Sequence, residues 1–406
     1  MKESSKSKII ITAAGMAIML CVGILYMWSV FLPYVTAHHG WEKSDVAMTA
    51  SIMMATFVIG NIVGGVIKGK LSTKLICLIG SVLFSLGIFL TSLLGSSTPA
   101  LIYLTYGVIS GLGCGIAYSA VLAVMQKWWA SKIGFITGLS VCFFGLSVVV
   151  LSPVVKSLLA GSLGVPGTFR LLSLVFAVIT VLGSLLMRDP SAEYLAAASS
   201  KGGSKGEVKS YKPGEVVRQR TYYFLLITMF TFNAAYMVIN PYISSIGTDR
   251  GLSESAALVA VMCTGIANSL GRLLVPSLSD KLGRTRTMNL CAVLSMVSCL
   301  LMVFAKGGLY IVAVFLIAFA YGGGSGINPV ISTELYGPKY SGTNYGLLLI
   351  GLAASSVVFG KITGIIDQSA NIDFSVIFII CAALCIIPIV MMFCLRKFCA
   401  KQGRKI

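Results

Sequence analysis

The chain has 406 residues, of which 57% are hydrophobic and only 11% charged, and its formal net charge is +18. Water-soluble domains carry about 25% charged residues, so this composition excludes an ordinary soluble protein. The apolar residues form long runs, such as the uncharged residues 9–35, and about 20 residues suffice to cross a bilayer. Barrel strands would be shorter and would alternate in polarity. We therefore predict an all-α membrane protein.

Twelve apolar runs are long enough to span the membrane. In chain order they are 9–35, 46–67, 75–95, 99–125, 133–155, 168–187, 222–246, 254–277, 287–305, 308–332, 342–366 and 373–395. The first run is too long for a signal peptide and lacks a cleavage pattern. We expect two pseudo-symmetric six-helix halves (1–187 and 221–396), joined by a polar, Gly/Ser/Lys-rich linker (188–220) and followed by a basic tail (397–406).

The distribution of basic residues predicts the orientation. If both termini are cytoplasmic, 24 of the 31 Lys and Arg residues lie on the cytoplasmic side and five on the other, as the positive-inside rule requires. The +18 charge then reflects topology and calls for no nucleic-acid partner. The basic tail is able to contact anionic membrane lipid. We expect a monomer.

Two sequence pairs indicate an internal duplication. "YMWSVFLPY" begins at Tyr26 and "YMVINPY" at Tyr236, while "SDKLGRTR" (279–286) has a weaker relative in "KGKLSTKL" (68–75). The two offsets are 210 and 211 residues. Many transporters consist of such repeats, with the substrate site between them near the middle of the bilayer.

The stretch "SDKLGRTR" resembles the signature loop of the major facilitator superfamily. Its candidate gating residues are Asp280, Lys281, Gly283 and Arg284. In the first half Gly69 replaces the acid of that loop, which predicts a weaker gating pair there. The resemblance implies a twelve-helix carrier that works by alternating access.

Four longer blocks resemble the oxalate/formate antiporter-type family, bacterial carriers related to monocarboxylate transporters. They are residues 26–41, 111–129, 267–284 and 337–346. The resemblance implies a multi-pass protein of the bacterial cytoplasmic membrane that carries small carboxylates. Arg272 matches the substrate-binding arginine of that family.

Arg272 also stands out on physical grounds. It lies about 12 Å inside Asp280 at 1.5 Å per residue, and none of the thirteen Asp and Glu residues falls deep in a predicted span. A charge at this depth costs at least ~2.5–3.5 kcal/mol and usually faces a cavity or a partner. An anionic ligand would supply that partner, since a guanidinium pairs with a carboxylate through two parallel hydrogen bonds. The alternative is that Arg272 snorkels to the interface.

Asn268 and Lys361 are less specific candidates. Asn268 lies one turn from Arg272 on the same helix face, where its amide would contact substrate or a neighbouring helix. Proton-coupled animal monocarboxylate transporters place an aspartate there, and because an amide does not titrate, this difference argues against a direct proton relay on this span. Lys361 lies near the outer end of span eleven and would act as a second substrate anchor or as an interfacial or gate residue. Oxalate-carrying relatives have a second buried base nearer Ser355.

Four mid-span tyrosines complete the predicted substrate site: Tyr26, Tyr118, Tyr236 and Tyr321. Their alternative role is helix packing. The glycine runs "GLGCG" (111–115) and "YGGGSG" (321–326) lie inside apolar spans and lack the lysine of a phosphate loop. We expect them to allow close helix packing and bending.

The remaining polar residues indicate no catalytic chemistry. We place His38 and His39 in the first outer loop as solvated residues, with a pH sensor as the alternative. The eleven cysteines are scattered through the spans without a CxxC pair, so we expect no disulfide, metal site or cofactor.

We therefore expect a secondary transporter, not an enzyme, for small carboxylates such as lactate, pyruvate or formate. An oxalate or dicarboxylate exchanger and a proton-coupled symporter remain alternatives, whereas a channel would not need the duplication and a sensor would need a signalling domain. Because Arg272 lacks an acidic partner, the loaded carrier should reorient faster than the empty one, which favours exchange.

Overall fold

The computed structural model describes residues 5–68, 70–129, 133–191, 193–194, 210–337, 340–368 and 374–403. Twelve of its helices are long and apolar enough to cross a membrane. They are α1 Ser7–His39, α2 Lys43–Ile67, α3 Thr73–Thr91, α4 Ala100–Trp128, α5 Phe135–Ala160, α6 Gly164–Leu186, α7 Arg220–Asp249, α8 Glu254–Leu282, α9 Arg284–Phe304, α10 Gly308–Tyr336, α11 Ser341–Gln368 and α12 Phe374–Lys401. The prediction of an all-α protein with twelve spans is confirmed.

Several helices extend well past the predicted spans. The 29 residues of α8 measure about 43 Å at 1.5 Å per residue, which exceeds the ~30 Å hydrocarbon core. Polarity marks where a helix leaves the hydrocarbon, but the backbone continues because its hydrogen bonds are made within the helix. The placement of His38 and His39 in a loop was therefore wrong, since both lie in the last turn of the α-helix Trp28–His39.

The helices alternate in direction, so the bundle has two ends. We call the end that carries the chain termini and segment 188–220 the linker end, and the opposite one the far end. The first six helices contact the last six mainly through the pairs α2–α11 and α5–α8, and through the far-end parts of α1 and α7. Helices α4 and α10 do not pack closely against each other.

The cross-half contact between α5 and α8 depends on small residues. An ideal Cβ on Gly265 would lie 2.8 Å from the carbonyl oxygen of Gly145, closer than side chains tolerate. One turn further, Ser269 Oγ donates to the carbonyl of Cys142 at 3.1 Å. These contacts bring the two backbones together and place the Arg272 face of α8 at the centre of the bundle.

Residues 192 and 195–209 of the predicted linker lie outside the described residues, as do 404–406 of the predicted tail. Both ends of the linker pack on helices. Trp128 Nε1 donates to the carbonyl of Arg188 at 2.8 Å, and the backbone N–H of Tyr211 donates to the carbonyl of Tyr336 at 2.9 Å. The start of the tail continues α12 to Lys401. The domain boundaries stay a prediction.

Candidate functional site

Arg272 lies in the interior of the bundle, with 9% of its surface exposed. Its Nε donates to Asn268 Oδ1 at 2.7 Å, and its Nη2 donates to the hydroxyl of Tyr26 at 3.0 Å. Asn268 is one helical turn away on α8, so this bond fixes the direction in which the guanidinium leaves the helix. Tyr26 comes from α1, in the other half of the chain. The sequence predicted both residues as site members but not these bonds.

Tyr26 is positioned by a change of helix geometry. Residues Gly23–Met27 form a 3-10 segment between two α-helical parts of α1. A side chain on Gly23 would collide with the carbonyl oxygen of Phe144 and approach the Cβ of Ser147 to 2.5 Å. Glycine therefore lets this turn pack directly on α5, and the Tyr26 ring then lies 5.3 Å from the ring of Phe144.

Two further tyrosines cover the guanidinium from the last six helices. The rings of Tyr236 and Tyr321 are stacked, with centroids 4.1 Å apart and planes within 9°. The Tyr321 hydroxyl lies 3.2 Å from that of Tyr26, and Arg272 Cζ lies 5.9 Å from the centre of the Tyr321 ring. The ring face and the hydroxyls supply partial negative charge without a carboxylate.

Tyr118 lies on the side of the first six helices. Its ring contacts Phe57 and Phe144, with centroid distances of 5.3 and 5.1 Å, and it lies within electrostatic range of Arg272. Tyr345, at the start of α11, also lies within electrostatic range of Arg272 and is half-buried. Tyr345 and both phenylalanines were not predicted from the sequence. Tyr345 lies in a block that matched the family, which was the available signal.

Asn268 also lies at the closest approach of α8 and α10. A side chain on Gly322 would collide with the carbonyl oxygen of Asn268, so the second glycine run serves close packing as predicted. Helix α10 is continuous through that run, whereas α4 has a π-helical segment, Tyr103–Ser110, just before its own run. Bending of both helices stays a prediction.

Lys361 does not join this cluster. Its side chain is exposed, and it forms no ion pair with any described residue. By contrast, Ser355 on the same helix is fully buried, and its hydroxyl has no hydrogen-bond partner among the described residues. The described residues also form no ion pair to Arg272.

The predicted signature loop forms a compact network at the linker end. Arg284 pairs with Asp280 at 2.6 Å and with Glu334 on α10 at 3.0 Å, and its Nη1 donates to Ser279 Oγ at 2.6 Å. Gly283 has φ +91°, a conformation that side chains disfavour. Lys281 is exposed. Glu334 was not predicted from the sequence, because it lies 50 residues away from Arg284 in the chain.

The first half has a different network at the same end. Gly69 lies outside the described residues. At the start of α3, Thr73 Oγ1 donates to Asp189 at 2.8 Å, and Asp189 also pairs with Lys127 at 2.7 Å. Burial, together with the charge of Lys127, lowers the pKa of Lys68 just beyond the end of α2, while Asp189 opposes this shift. An acid from the linker thus contacts the start of α3 and the end of α4, in the half whose signature loop has no acid in its sequence.

Among the described residues no group of three or more His, Cys, Asp or Glu side chains could hold a metal ion. The eleven cysteines are free thiols. The chemistry available at the centre is therefore one guanidinium, one amide and the hydroxyls of several tyrosines. A set of this kind is chemically suited to an anion, through charge and directed hydrogen bonds.

Comparison with known proteins establishes the family. Residues 13–360 and 225–400 match the sequence profile of the Major Facilitator Superfamily, and the chain belongs to this superfamily of membrane transporters. The fold agrees. The chain superposes on the nucleoside transporter NupG with a TM-score of 0.70 at 13% identity, covering 96% of this chain and 99% of NupG.

Several relatives align over most of the chain. An uncharacterised transporter of this type from Escherichia coli, YhjX, is 26% identical over 83% of this chain and 82% of its own length. The oxalate:formate antiporter of Oxalobacter formigenes is 23% identical over 90% and 86%, and the apicoplast pyruvate carrier 1 of Toxoplasma gondii is 27% identical over 84% and 73%.

Proposed function

We propose that the protein is a secondary transporter of small monocarboxylates, with lactate, pyruvate and formate as candidate substrates, and that it favours exchange. One observation carries the proposal. Arg272 is buried at the centre of the bundle, contacts both halves, and has only neutral oxygens and ring faces as described partners. Such a guanidinium binds a carboxylate through paired, charge-assisted hydrogen bonds.

The relatives support the same substrate class. One is an oxalate:formate antiporter and another is a pyruvate carrier, and small carboxylates are what these substrates have in common. Tyr26, Tyr118, Tyr236 and Tyr321 would limit the size of the bound anion, and the hydroxyls of Tyr118 and Tyr236 would offer it hydrogen bonds. We assign Asn268 the role of orienting Arg272, because its oxygen accepts from Nε.

A dicarboxylate such as oxalate is less favoured because a second anchor is not in place. Lys361 is exposed, and Ser355, nearer the predicted position of a second base, is a neutral hydroxyl. We therefore assign Lys361 to the interface between membrane and water. In a proton-coupled carrier the proton would travel with the substrate, since no Asp or Glu falls mid-span.

The distribution of basic residues and the relatives support an orientation and a location in the cell. The linker end carries most Lys and Arg residues, so we place it, with both termini, on the cytoplasmic side. Bacterial relatives support the bacterial inner membrane as the location. We also propose that the working unit is a monomer.

A binding screen tests the proposal. Purified protein is heated with formate, acetate, lactate, pyruvate, oxalate or malonate, and stabilisation is read from the unfolding temperature. We expect monocarboxylates to stabilise it, Arg272→Ala to remove that effect, and Arg170→Ala, at an exposed arginine, to retain it. Lys361→Gln should leave monocarboxylate exchange within about two-fold. Wild-type stabilisation of Arg272→Ala would refute the site assignment.

A further inference from the structure

Tyr26 makes the hydrogen bond that joins Arg272 to the first six helices. Arg272 Nη2 donates to the Tyr26 hydroxyl at 3.0 Å, and that hydroxyl also contacts the Tyr321 hydroxyl at 3.2 Å. The other described bond of the guanidinium stays within α8, to Asn268. A phenol oxygen from one half of the protein is thus an acceptor for the central cation of the other.

One of the donors used in these bonds is a donor that a carboxylate needs. A carboxylate pairs with a guanidinium through two parallel hydrogen bonds, either side-on, from Nε and Nη2, or end-on, from Nη1 and Nη2, and Nη2 takes part in both. Here Asn268 Oδ1 accepts from Nε and the Tyr26 hydroxyl from Nη2. Asn268 moves with α8, so the acceptor from the other half is the one that a bound anion is able to displace.

We propose that Tyr26 is a stand-in acceptor, which holds Arg272 while no carboxylate is bound and gives way to the carboxylate on binding. The proposal rests on the proposed function. A buried guanidinium donor without a partner is costly, and the carrier must pass through closed forms both loaded and empty. Carboxylate covers the cation in the loaded form, and Tyr26 covers it in the empty form. Tyr26 is then a positioning residue that sets the ratio of net transport to exchange.

The test is Tyr26→Phe, which removes one oxygen and keeps the ring. The matched control is Tyr106→Phe. Tyr106 is fully buried against Trp28, with ring centroids 4.4 Å apart, and its hydroxyl has no hydrogen-bond partner among the described residues. Each protein is reconstituted in liposomes. Labelled formate, lactate and oxalate are then followed with the unlabelled anion on both sides (exchange) or on one side only (net flux).

In Tyr26→Phe we expect net flux to fall about tenfold relative to exchange, because a hydrogen bond to a charged group is lost only in the empty form. Equilibrium binding of the same anions should be unchanged or tighter, since a competitor for Nη2 is gone. Tyr106→Phe should change neither quantity. If Tyr26→Phe folds poorly, Tyr321→Phe removes only the hydroxyl that holds Tyr26, and should lower the same ratio by a smaller factor.

Two outcomes would overturn the proposal while leaving the proposed function intact. Parallel loss of binding, exchange and net flux in Tyr26→Phe would make Tyr26 a direct substrate ligand. An unchanged ratio of net flux to exchange, in this variant or in Tyr321→Phe, would show that the hydroxyl does not serve the empty carrier. If the unaltered protein responds to none of the carboxylates, the proposed function itself is wrong, and the proposal falls with it.

Discussion

The two ends of the bundle hold their charges in different ways. At the far end the ion pairs cross between the halves: Lys43 on α2 pairs with Asp367 on α11 at 3.0 Å, and Lys156 on α5 with Glu254 on α8 at 3.4 Å. At the linker end, no ion pair among the described residues joins the two halves.

This difference shows at which end of the bundle the two halves are held together by ion pairs. A cross-half pair must break before the halves can separate, whereas a pair within one half moves with it as a rigid unit. We call the contact between the two halves at this end the far-end seam. Gln368 adds to it by donating to Ser44 Oγ at 2.7 Å, again across the halves. The far end is therefore the end at which polar contacts hold the two halves together in this structure. At the linker end, α4 and α10 do not pack closely against each other.

The largest effect is expected from Asp367→Lys. The Asp367 side chain is only 10% exposed and that of Lys43 is 32% exposed, so the change places two cations opposite each other in a partly buried contact, at a cost near the lower end of the roughly 3–5 kcal/mol for breaking a buried pair. The far end should open and exchange should fall by more than tenfold. A cysteine introduced at Ser245, which lines the far-end cavity beside Lys43, should react faster with a membrane-impermeant maleimide.

The charge swap, Lys43→Asp with Asp367→Lys, is the control for that prediction, because it restores attraction with the same two residue types. It should recover most of the exchange rate and the slow labelling. A double variant as impaired as the single one would mean that the ion pair does not hold the seam.

Arg284→Gln should affect stability but not the seam. It removes the ion pairs to Asp280 and Glu334 and the bond to Ser279, leaving their partners partly unpaired, and should lower the free energy of unfolding by about 2–3 kcal/mol. Thermal unfolding in detergent measures this loss. Faster maleimide labelling at the far end, equal to that of Asp367→Lys, would contradict the view that this network acts within one half.

Gly283→Ala should have a smaller effect by a different route. At φ +91° and ψ 146° an alanine is strained by about 1–2 kcal/mol, so the turn between α8 and α9 should loosen. Gly342→Ala is the matched control, since nothing lies near an added Cβ there. The unfolding temperature should drop only in the first variant, and equal values for both would show that the turn absorbs the strain.

The smallest effect is expected from Lys156→Gln. Its partner, Glu254, is 82% exposed, and exposed pairs contribute roughly 0–1 kcal/mol. Exchange should change by less than about two-fold, measured beside Asp367→Lys at the same ionic strength. A loss of exchange as large as that of Asp367→Lys would mean that the burial of these two ion pairs does not determine how much each contributes.

Much of the site could be predicted from residue type and position. Arg272 stood out because a charge in an apolar span is costly and none of the acids lies at its depth. Tyr26, Tyr236 and Tyr321 were found because they are mid-span and partly repeated. Tyr345 was missed, and the bond from Arg272 to Asn268 was not predicted, because a helical pattern shows which residues share a face but not which atom accepts from which donor.

The amino-acid sequence by itself determined that the chain crosses a membrane twelve times and that one guanidinium is buried without an acid. Both follow from local free energies of transfer, which depend on composition over about 20 residues. Only the tertiary structure decided that Tyr26, 246 positions away, accepts from Arg272, that Lys361 stays outside the cluster, and that Lys43 meets Asp367. Such pairings depend on how helices distant in sequence are packed, and transfer free energies carry no information about that.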